Sequence, residues 1–425
     1  MSTVAFPTTT IEGYPRIGAQ RELKRALESY WSGQIDAATF RSTTRALRID
    51  TYNHLRDLGL TEPYAIPADV ALYDHVLETA LTVGLVAGGT DLDEEFALAR
   101  GTDTRVPLEM TKWFDTNYHY LVPEVSAGQE ITPVPDRIVR IVEEAREAGH
   151  QVRPYLVGPV TLLALSKPVE WSLLPALVDA YAQVFAALRQ AGVEWVQVAE
   201  PIVVADVDTP DAEIAKYLRE AWSTLLGAEA RPSVYLTTPY GAADAALPVL
   251  GELKPEALQV DLSPWTLQAT RDYVEQVRTH VAPETHLVAG LIDGRNVWAA
   301  DLAERTELLT TLGATSVTTS TSLQHVPHTL KAERNLPVDV ATWLAFADEK
   351  IAEALALSAG AQAAEVAFAA SARVARTRAE SPLRHDEAVA KRLGTLPAGQ
   401  VQRQPLFAER QQAQREALHL PSLPT

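Results

Sequence analysis

Between residues 11 and 357 the chain alternates short apolar segments with longer stretches of helical periodicity. Nine segments read as strands: 11–15, 64–68, 111–118, 152–157, 195–198, 233–237, 258–261, 286–292 and 316–321. Most are apolar throughout rather than alternating, as expected for strands covered on both faces of a parallel sheet. Helical stretches separate them. Over 175–190, Leu177, Val178, Tyr181, Val184, Phe185 and Leu188 recur at helical spacing, and Pro175 suits a first helical position, where its missing N–H costs nothing. The same spacing predicts a helix over 341–357. Strand followed by helix, repeated this often, predicts an α/β fold of the (β/α)8 TIM-barrel type, with extra N-terminal helices and a C-terminal helical linker. Nine candidates compete for eight places. The expected division is a barrel over 1–380 and a linker over 381–425, the latter rich in Arg, Gln and Ala.

Composition narrows what such a barrel can meet. At 425 residues, with 47% hydrophobic and 22% charged, the chain can bury one large core. A formal charge of −18 argues against nucleic acid and anionic membranes as partners, since both require a positive footprint. Zero Cys excludes disulfides, a thiol nucleophile and thiolate metal ligands, and fits a cytoplasmic protein. Residues 1–10 lack the basic start and apolar run of a signal peptide, and the most apolar run, 155–165, is short and interrupted by Gly158 and Pro159. No G-x-G-x-x-G follows the first strand and no Walker loop occurs.

Barrel chemistry collects where strands end. Arg16, Gly18, Asp115, Asn117, Gly158, Thr161, Glu200, Pro201, Thr237, Asp261, Asp293, Arg295, Gln324 and His325 all fall at such ends and are expected to share one mouth. Many would equally serve as helix caps. Two segments are denser. In 15–25, Arg16, Arg21, Lys24 and Arg25 stand against the single carboxylate of Glu22, and Arg21, Lys24 and Arg25 fall at i, i+3 and i+4 of a helix start. That would grip a polyanion, or form a solvated basic face. In 109–124, four aromatics, Lys112, His119 and three carboxylates are packed together. Alternation along a strand would put Lys112, Phe114 and Thr116 on one side and Trp113, Asp115 and Asn117 on the other.

The words Gly13-Tyr14-Pro15-Arg16-Ile17-Gly18, Arg21-Glu22-Leu23-Lys24, Glu28-Ser29-Tyr30-Trp31, Tyr73-Asp74-His75-Val76-Leu77, Gly158-Pro159-Val160-Thr161, Trp195-Val196-Gln197-Val198, Glu200-Pro201, Asp293-Gly294-Arg295-Asn296 and His325-Val326-Pro327, with the 109–124 block, are strongly specific together. In order and spacing the chain resembles the N-terminal half of the cobalamin-independent methionine synthases. The resemblance implies paired (β/α)8 barrels that move a methyl group from 5-methyltetrahydropteroyl-polyglutamate to homocysteine. It also implies that Arg21, Glu22, Leu23, Lys24 and Lys112 contact the folate polyglutamate, and that no catalytic residue lies in this chain. Zinc, in that family, is held by the C-terminal half. No metal is expected here, and Pro327 makes a structural role for His325 and His328 the better reading.

The sequence departs from the family pattern at Ala199, where an acidic residue is usual, at 319–322, which carries no cysteine, and at 66–70. The closing residues 420–425 read as the start of a second copy of the lead-in at 6–10, which predicts truncation before a catalytic barrel. Two alternatives stand beside this: a barrel subunit acting in trans with a separate catalytic barrel, and a non-catalytic scaffold barrel.

Overall fold

A computed structural model of the chain describes residues 4–68, 71–88, 91–263, 267–396, 403–419 and 421. Asp69 and Val70 of the divergent 66–70 stretch, and 420 and 422–425 of the closing repeat, lie outside the described residues. Two compact units result, Met1–Ala375 and Arg376–Thr425.

In the first unit, β1 (Pro67–Ala68), β4 (Arg153–Val157), β5 (Trp195–Ala199), β6 (Ser233–Thr238), β7 (Ala257–Asp261), β8 (His286–Ile292) and β9 (Ser316–Thr319) form one parallel sheet in that order. The eighth place is filled from the N-terminus. Thr9 bridges Val317 in parallel, Thr10 N donates to Val317 O at 3.0 Å, and on the other side Thr10 Oγ1 donates to Ala65 O at 2.6 Å. A (β/α)8 barrel is thereby closed, as the pattern predicts. The first strand sits earlier than 11–15, because the Thr8–Thr10 backbone makes the pairing with Val317 while the Thr8 and Thr10 hydroxyls reach across to Glu62 and Ala65.

Every residue of β5, β6 and β7 is buried, which is why these strands read as apolar or β-branched without alternation. Several of the polar groups inside are paired with one another. Arg153, 0% exposed, donates to Gln197 Oε1, Ile11 O and Tyr64 O. Glu12 accepts from Gln197 Nε2 at 2.8 Å, Thr318 Oγ1 at 3.0 Å and the Tyr235 hydroxyl.

The ninth candidate strand, 111–118, is not in the barrel. It is an antiparallel hairpin, β2 (Met110–Lys112) with β3 (His119–Leu121), whose turn occupies 113–118. Trp113 N donates to Tyr118 O at 2.8 Å, so simple alternation ends at Lys112. The expected helix over 341–357 is also divided, into Val338–Thr342 and Ala347–Ala363. Between them Trp343 and Ala345 exchange backbone hydrogen bonds with Ala299 and Val297, taking that stretch out of helical conformation. The helix expected over 175–190 is present as Leu174–Gln190. Together with the preceding 3-10 turn, Trp171–Gln190 is apolar and long enough to cross a membrane by composition, yet half of its window is buried against the barrel, as in a core helix.

Five helices shape the region around the site: α1 (Glu22–Trp31), α2 (Ala37–Asp57), α3 (His75–Thr82), α4 (Leu92–Arg100) and α5 (Asp136–Glu147). The first two are the extra N-terminal helices. Ala26, Leu27, Phe40, Leu92 and Phe96 form a small core that anchors α1 on α2 and α4. Tyr30 stacks on Phe40 at 5.1 Å and Trp31 meets Phe96 edge-on at 5.5 Å.

In the second unit, the helices Glu387–Gly394 and Phe407–Leu418 bury no residue.

Candidate functional site

The basic start of α1 is built by an unusual turn. Gly18 has φ +84, a left-handed conformation that favours glycine, and a β-carbon there would lie 2.1 Å from Glu22 Oε2, so a larger residue would also displace that carboxylate. Arg21 N donates to Gly18 O, and Arg21 itself is left-handed at φ 61. It is the residue before the helix, not part of its first turn. The expected single face of Arg21, Lys24 and Arg25 is therefore broken: Arg25 curls back to the Gln20 carbonyl, and Lys24 stays half-exposed, 3.7 Å from Glu28. No side chain caps the α1 N-terminus. Glu22 accepts from Gln20 N at 2.9 Å, bracing the loop.

Lys24 and Leu23 line an open groove of about 490 Å³ whose other walls include Arg16, Glu28, Trp31, Leu72, Tyr73, Tyr118 and Gln324. Arg21 and Glu22 stand at the helix start without lining it, and Lys112 is exposed on β2 of the hairpin that supplies Tyr118. The groove thus collects two of the five expected residues directly. Arg16 stands out in the sequence as a strand-end residue of the basic 15–25 run; Trp31 and Tyr73 are visible only as members of longer words, and Tyr118 only within the aromatic 109–124 block.

Tyr118 ties the groove to the barrel. Arg16 Nη2 donates to the Tyr118 hydroxyl at 2.9 Å, and that hydroxyl donates to Asp74 Oδ1 at 2.8 Å. Asp74 also caps α3 through Leu77 N at 2.8 Å and accepts from Leu121 N, fixing hairpin to helix. Burial pushes its carboxyl up to about 6, against these donors and Arg16. His75, buried next to it, is held well below its ordinary value by burial and then by Arg16 and His325, so it is a neutral imidazole at pH 7.

From His75 a line of rings runs to the barrel mouth. His75 stacks on Tyr118 at 5.1 Å and meets Trp113 edge-on at 4.5 Å; Trp113 meets Phe114 at 4.8 Å; Phe114 stacks on Tyr240 at 5.5 Å and 14°. Phe114 (φ 50) and Tyr240 (φ 81) are both left-handed, a strained conformation for aromatic residues that marks functional sites. No local sequence signal announces it. Tyr240 Oη lies 2.9 Å from His325 Nε2, and Tyr240 N donates to Asp261 Oδ2 at 3.0 Å.

The strand-end residues divide into two groups. At the mouth, Arg295 pairs with Asp115 at 2.7 Å and lies 5.7 Å from the Tyr240 ring centre, Asp261 holds Tyr240, and Gln324 lines both the groove and a small cavity bounded by Glu12, His75 and Ala199. Burial, and then Asp293, push Asp261 up to about 7 against its Ser263 and Tyr240 hydrogen bonds; burial and then Arg295 push His325 down to about 4. Glu200 and Thr161 instead face inward: Glu200 accepts from Val160 N, Thr161 N, Thr161 Oγ1 and Trp222 Nε1. A β-carbon at Gly158 would meet the Glu200 carboxyl carbon at 2.1 Å, so that glycine is required by packing. His325 and His328 take separate tyrosines, Tyr240 and Tyr14, and among the described residues no three His, Asp or Glu group as metal ligands.

An eight-stranded α/β barrel with a cationic, aromatic groove beside its mouth defines the class. Residues 8–317 match the model of the cobalamin-independent synthase family, N-terminal domain, and the chain belongs to that family. It is similar to proteins named 5-methyltetrahydropteroyltriglutamate–homocysteine methyltransferase: 42% identical to that of Rhodococcus jostii over 98% of this chain and 56% of the relative, and 40% identical to that of Streptomyces avermitilis over 100% and 57%. The Mycobacterium tuberculosis protein is 39% identical over 98% and 56%. The chain spans just over half the length of these relatives.

Proposed function

We propose that this chain is the folate-polyglutamate-binding half of a cobalamin-independent methionine synthase, the cytoplasmic methyltransferase that carries a methyl group from 5-methyltetrahydropteroyltriglutamate to homocysteine. One observation carries the reading: in a chain of net charge −18, the groove at the α1 start sets Lys24 and Arg16 beside Trp31, Tyr73 and Tyr118. A flat heteroaromatic ligand with a multiply charged tail needs that combination of ring faces and guanidinium or ammonium donors. In this reading Lys24, Arg21 and Lys112 meet tail carboxylates, Leu23 supplies an apolar wall, and Glu22 holds the loop.

Homocysteine activation on zinc falls to residues beyond this chain. The chain has no Cys, and its described His, Asp and Glu do not fit a zinc site. Alone it is expected to bind the methyl donor without transferring the methyl group. Its functional partner is then a catalytic barrel, supplied in cis or in trans.

Calorimetric titration with triglutamyl and monoglutamyl 5-methyltetrahydrofolate tests this. The triglutamyl form is expected to bind roughly tenfold tighter, about 1.4 kcal/mol of charge-assisted contact. Lys24→Ala removes that advantage while leaving the monoglutamyl affinity in place. Absence of heat at millimolar triglutamyl ligand, or a Lys24→Ala protein identical to the parent, rules the reading out.

A further inference from the structure

A cavity of about 280 Å³, separate from the aromatic groove, is lined by α2, α3, α4 and α5. Four arginines face it: Arg41 and Arg48, two helical turns apart on α2, and Arg137 and Arg140, one turn apart on α5. Two of them are committed. Arg48 pairs with Glu144 at 2.6 Å, and Arg137 bridges Glu78 and Glu95 at 2.7 and 2.8 Å. Arg41 and Arg140 have no ion-pair partner among the described residues, and both are exposed on the rim. The remaining carboxylates at the wall are placed otherwise: Asp91 caps α4 through Asp93 N at 2.9 Å, and Asp136 is exposed in the first turn of α5.

Guanidiniums at close quarters repel, and here two of the four have no direct counter-ion among the described residues. Burial and then Arg41 hold the Arg140 guanidinium below its ordinary value, with Arg48 and Arg137 adding and only Glu144 opposing. Repulsion kept in a cavity is removed when an anion enters it, and the planar Arg fork matches paired oxygens. None of the four arginines lines the folate groove.

We propose that this cavity is a second anion-binding site, in which Arg41 and Arg140 grip clustered oxygens of the phosphate or carboxylate class above the paired Arg48 and Arg137. Two sources supply that chemistry. Leu72 lines this cavity, the aromatic groove and the small pocket between them, which also shares Arg48 and Thr44 with the first and Arg16 and Leu23 with the second. Distal carboxylates of a long tail would follow that path; a free phosphate or phosphate ester would enter from the rim.

The test is calorimetric titration of the whole chain with inorganic phosphate, against chloride at matched ionic strength. Saturable phosphate binding is expected, weakened roughly tenfold in the Arg41→Gln/Arg140→Gln double variant, the order of one charge-assisted contact, and unchanged in Lys24→Ala. The double variant without phosphate should unfold close to the parent temperature, since neither arginine holds a direct ion pair and the repulsion relieved offsets the lost attraction to Glu144 and Glu95, so weaker binding will not be misfolding. Phosphate heat no larger than the chloride control, or equal binding by the double variant, overturns the proposal. Displacement of phosphate by triglutamyl folate assigns the site to tail carboxylates, and simultaneous binding assigns it to a separate phosphate-bearing ligand.

Discussion

Lys24 and Arg153 are both cations in an acidic chain, and the structure uses them in opposite ways. Lys24 is 52% exposed and has a loose partner, Glu28, at 3.7 Å. Arg153 is fully buried, with Gln197, Ile11 O and Tyr64 O around its guanidinium and the Tyr235 ring 4.9 Å away. A cation in water keeps its donors available and costs little to hold; a buried one has spent them on the fold. The same division separates the groove from the barrel interior: recognition sits on the rim, and the polar groups inside hold strands together.

The sharpest way to break this contrast is Arg153→Met. It leaves two backbone carbonyls and the Gln197 amide oxygen without their donor and removes the positive charge nearest Glu12. A loss of about 3–5 kcal/mol in urea unfolding is expected, the scale of breaking a buried charged network. Folded protein should keep its triglutamyl-folate affinity. A loss under about 1 kcal/mol would place Arg153 with Lys24 and dissolve the distinction.

Next in size is a pH effect confined to the interior. Burial pushes Glu12 and Glu200 up to about 7, opposed by the hydroxyls of Tyr235 and Thr161. A carboxyl whose folded pKa is raised binds its proton more tightly in the native state, so its stabilisation is full below the unfolded value and is lost as pH rises through about 7. His75 and His325 act oppositely, being depressed when folded, but their contribution is half made at the ordinary histidine value of 6.5 and complete about one unit above it, so there they offset only part of the loss. Between pH 6.5 and 8 the carboxyls therefore dominate, and stability should fall by on the order of 1 kcal/mol for each. Glu12→Gln, whose neighbours Tyr235 and Thr318 carry rotatable hydroxyls, should flatten that slope by its share. An unchanged slope in the variant would show that Glu12 is ionised throughout.

What could be read from the sequence follows the same boundary. The barrel was legible because strands buried on both faces leave continuous apolar runs, and α1 because Ala26, Leu27 and Tyr30 keep helical spacing. The 110–121 hairpin was not, since a run of Trp, Phe, Thr and Tyr has strand propensity whether or not a turn interrupts it; the left-handed Phe114 is set by tertiary stacking on Tyr240. The break at Trp343 was hidden for a similar reason, because its cause is a bridge to Trp298, far away in sequence. In the site, the words around Arg21 and Lys24 could be recognised, but the geometry that takes Arg21 out of the helix could not. Arg16, Tyr118 and Asp74 come together only through long-range hydrogen bonds.

Arg21 is the residue on which recognition and folding can be separated most finely. It holds a left-handed conformation that asparagine adopts more readily than arginine, and it has no side-chain cap bond to lose. If its role is structural, Arg21→Asn should do no harm anywhere. If it meets a tail carboxylate, the same substitution should leave stability unchanged or raise it by about 0.5 kcal/mol, the scale of relieving a strained backbone, while weakening triglutamyl-folate binding several-fold. Affinity and stability then move in opposite directions, which no loss of folding can imitate. Equal affinity in the variant would confine tail recognition to the groove wall of Lys24 and Arg16.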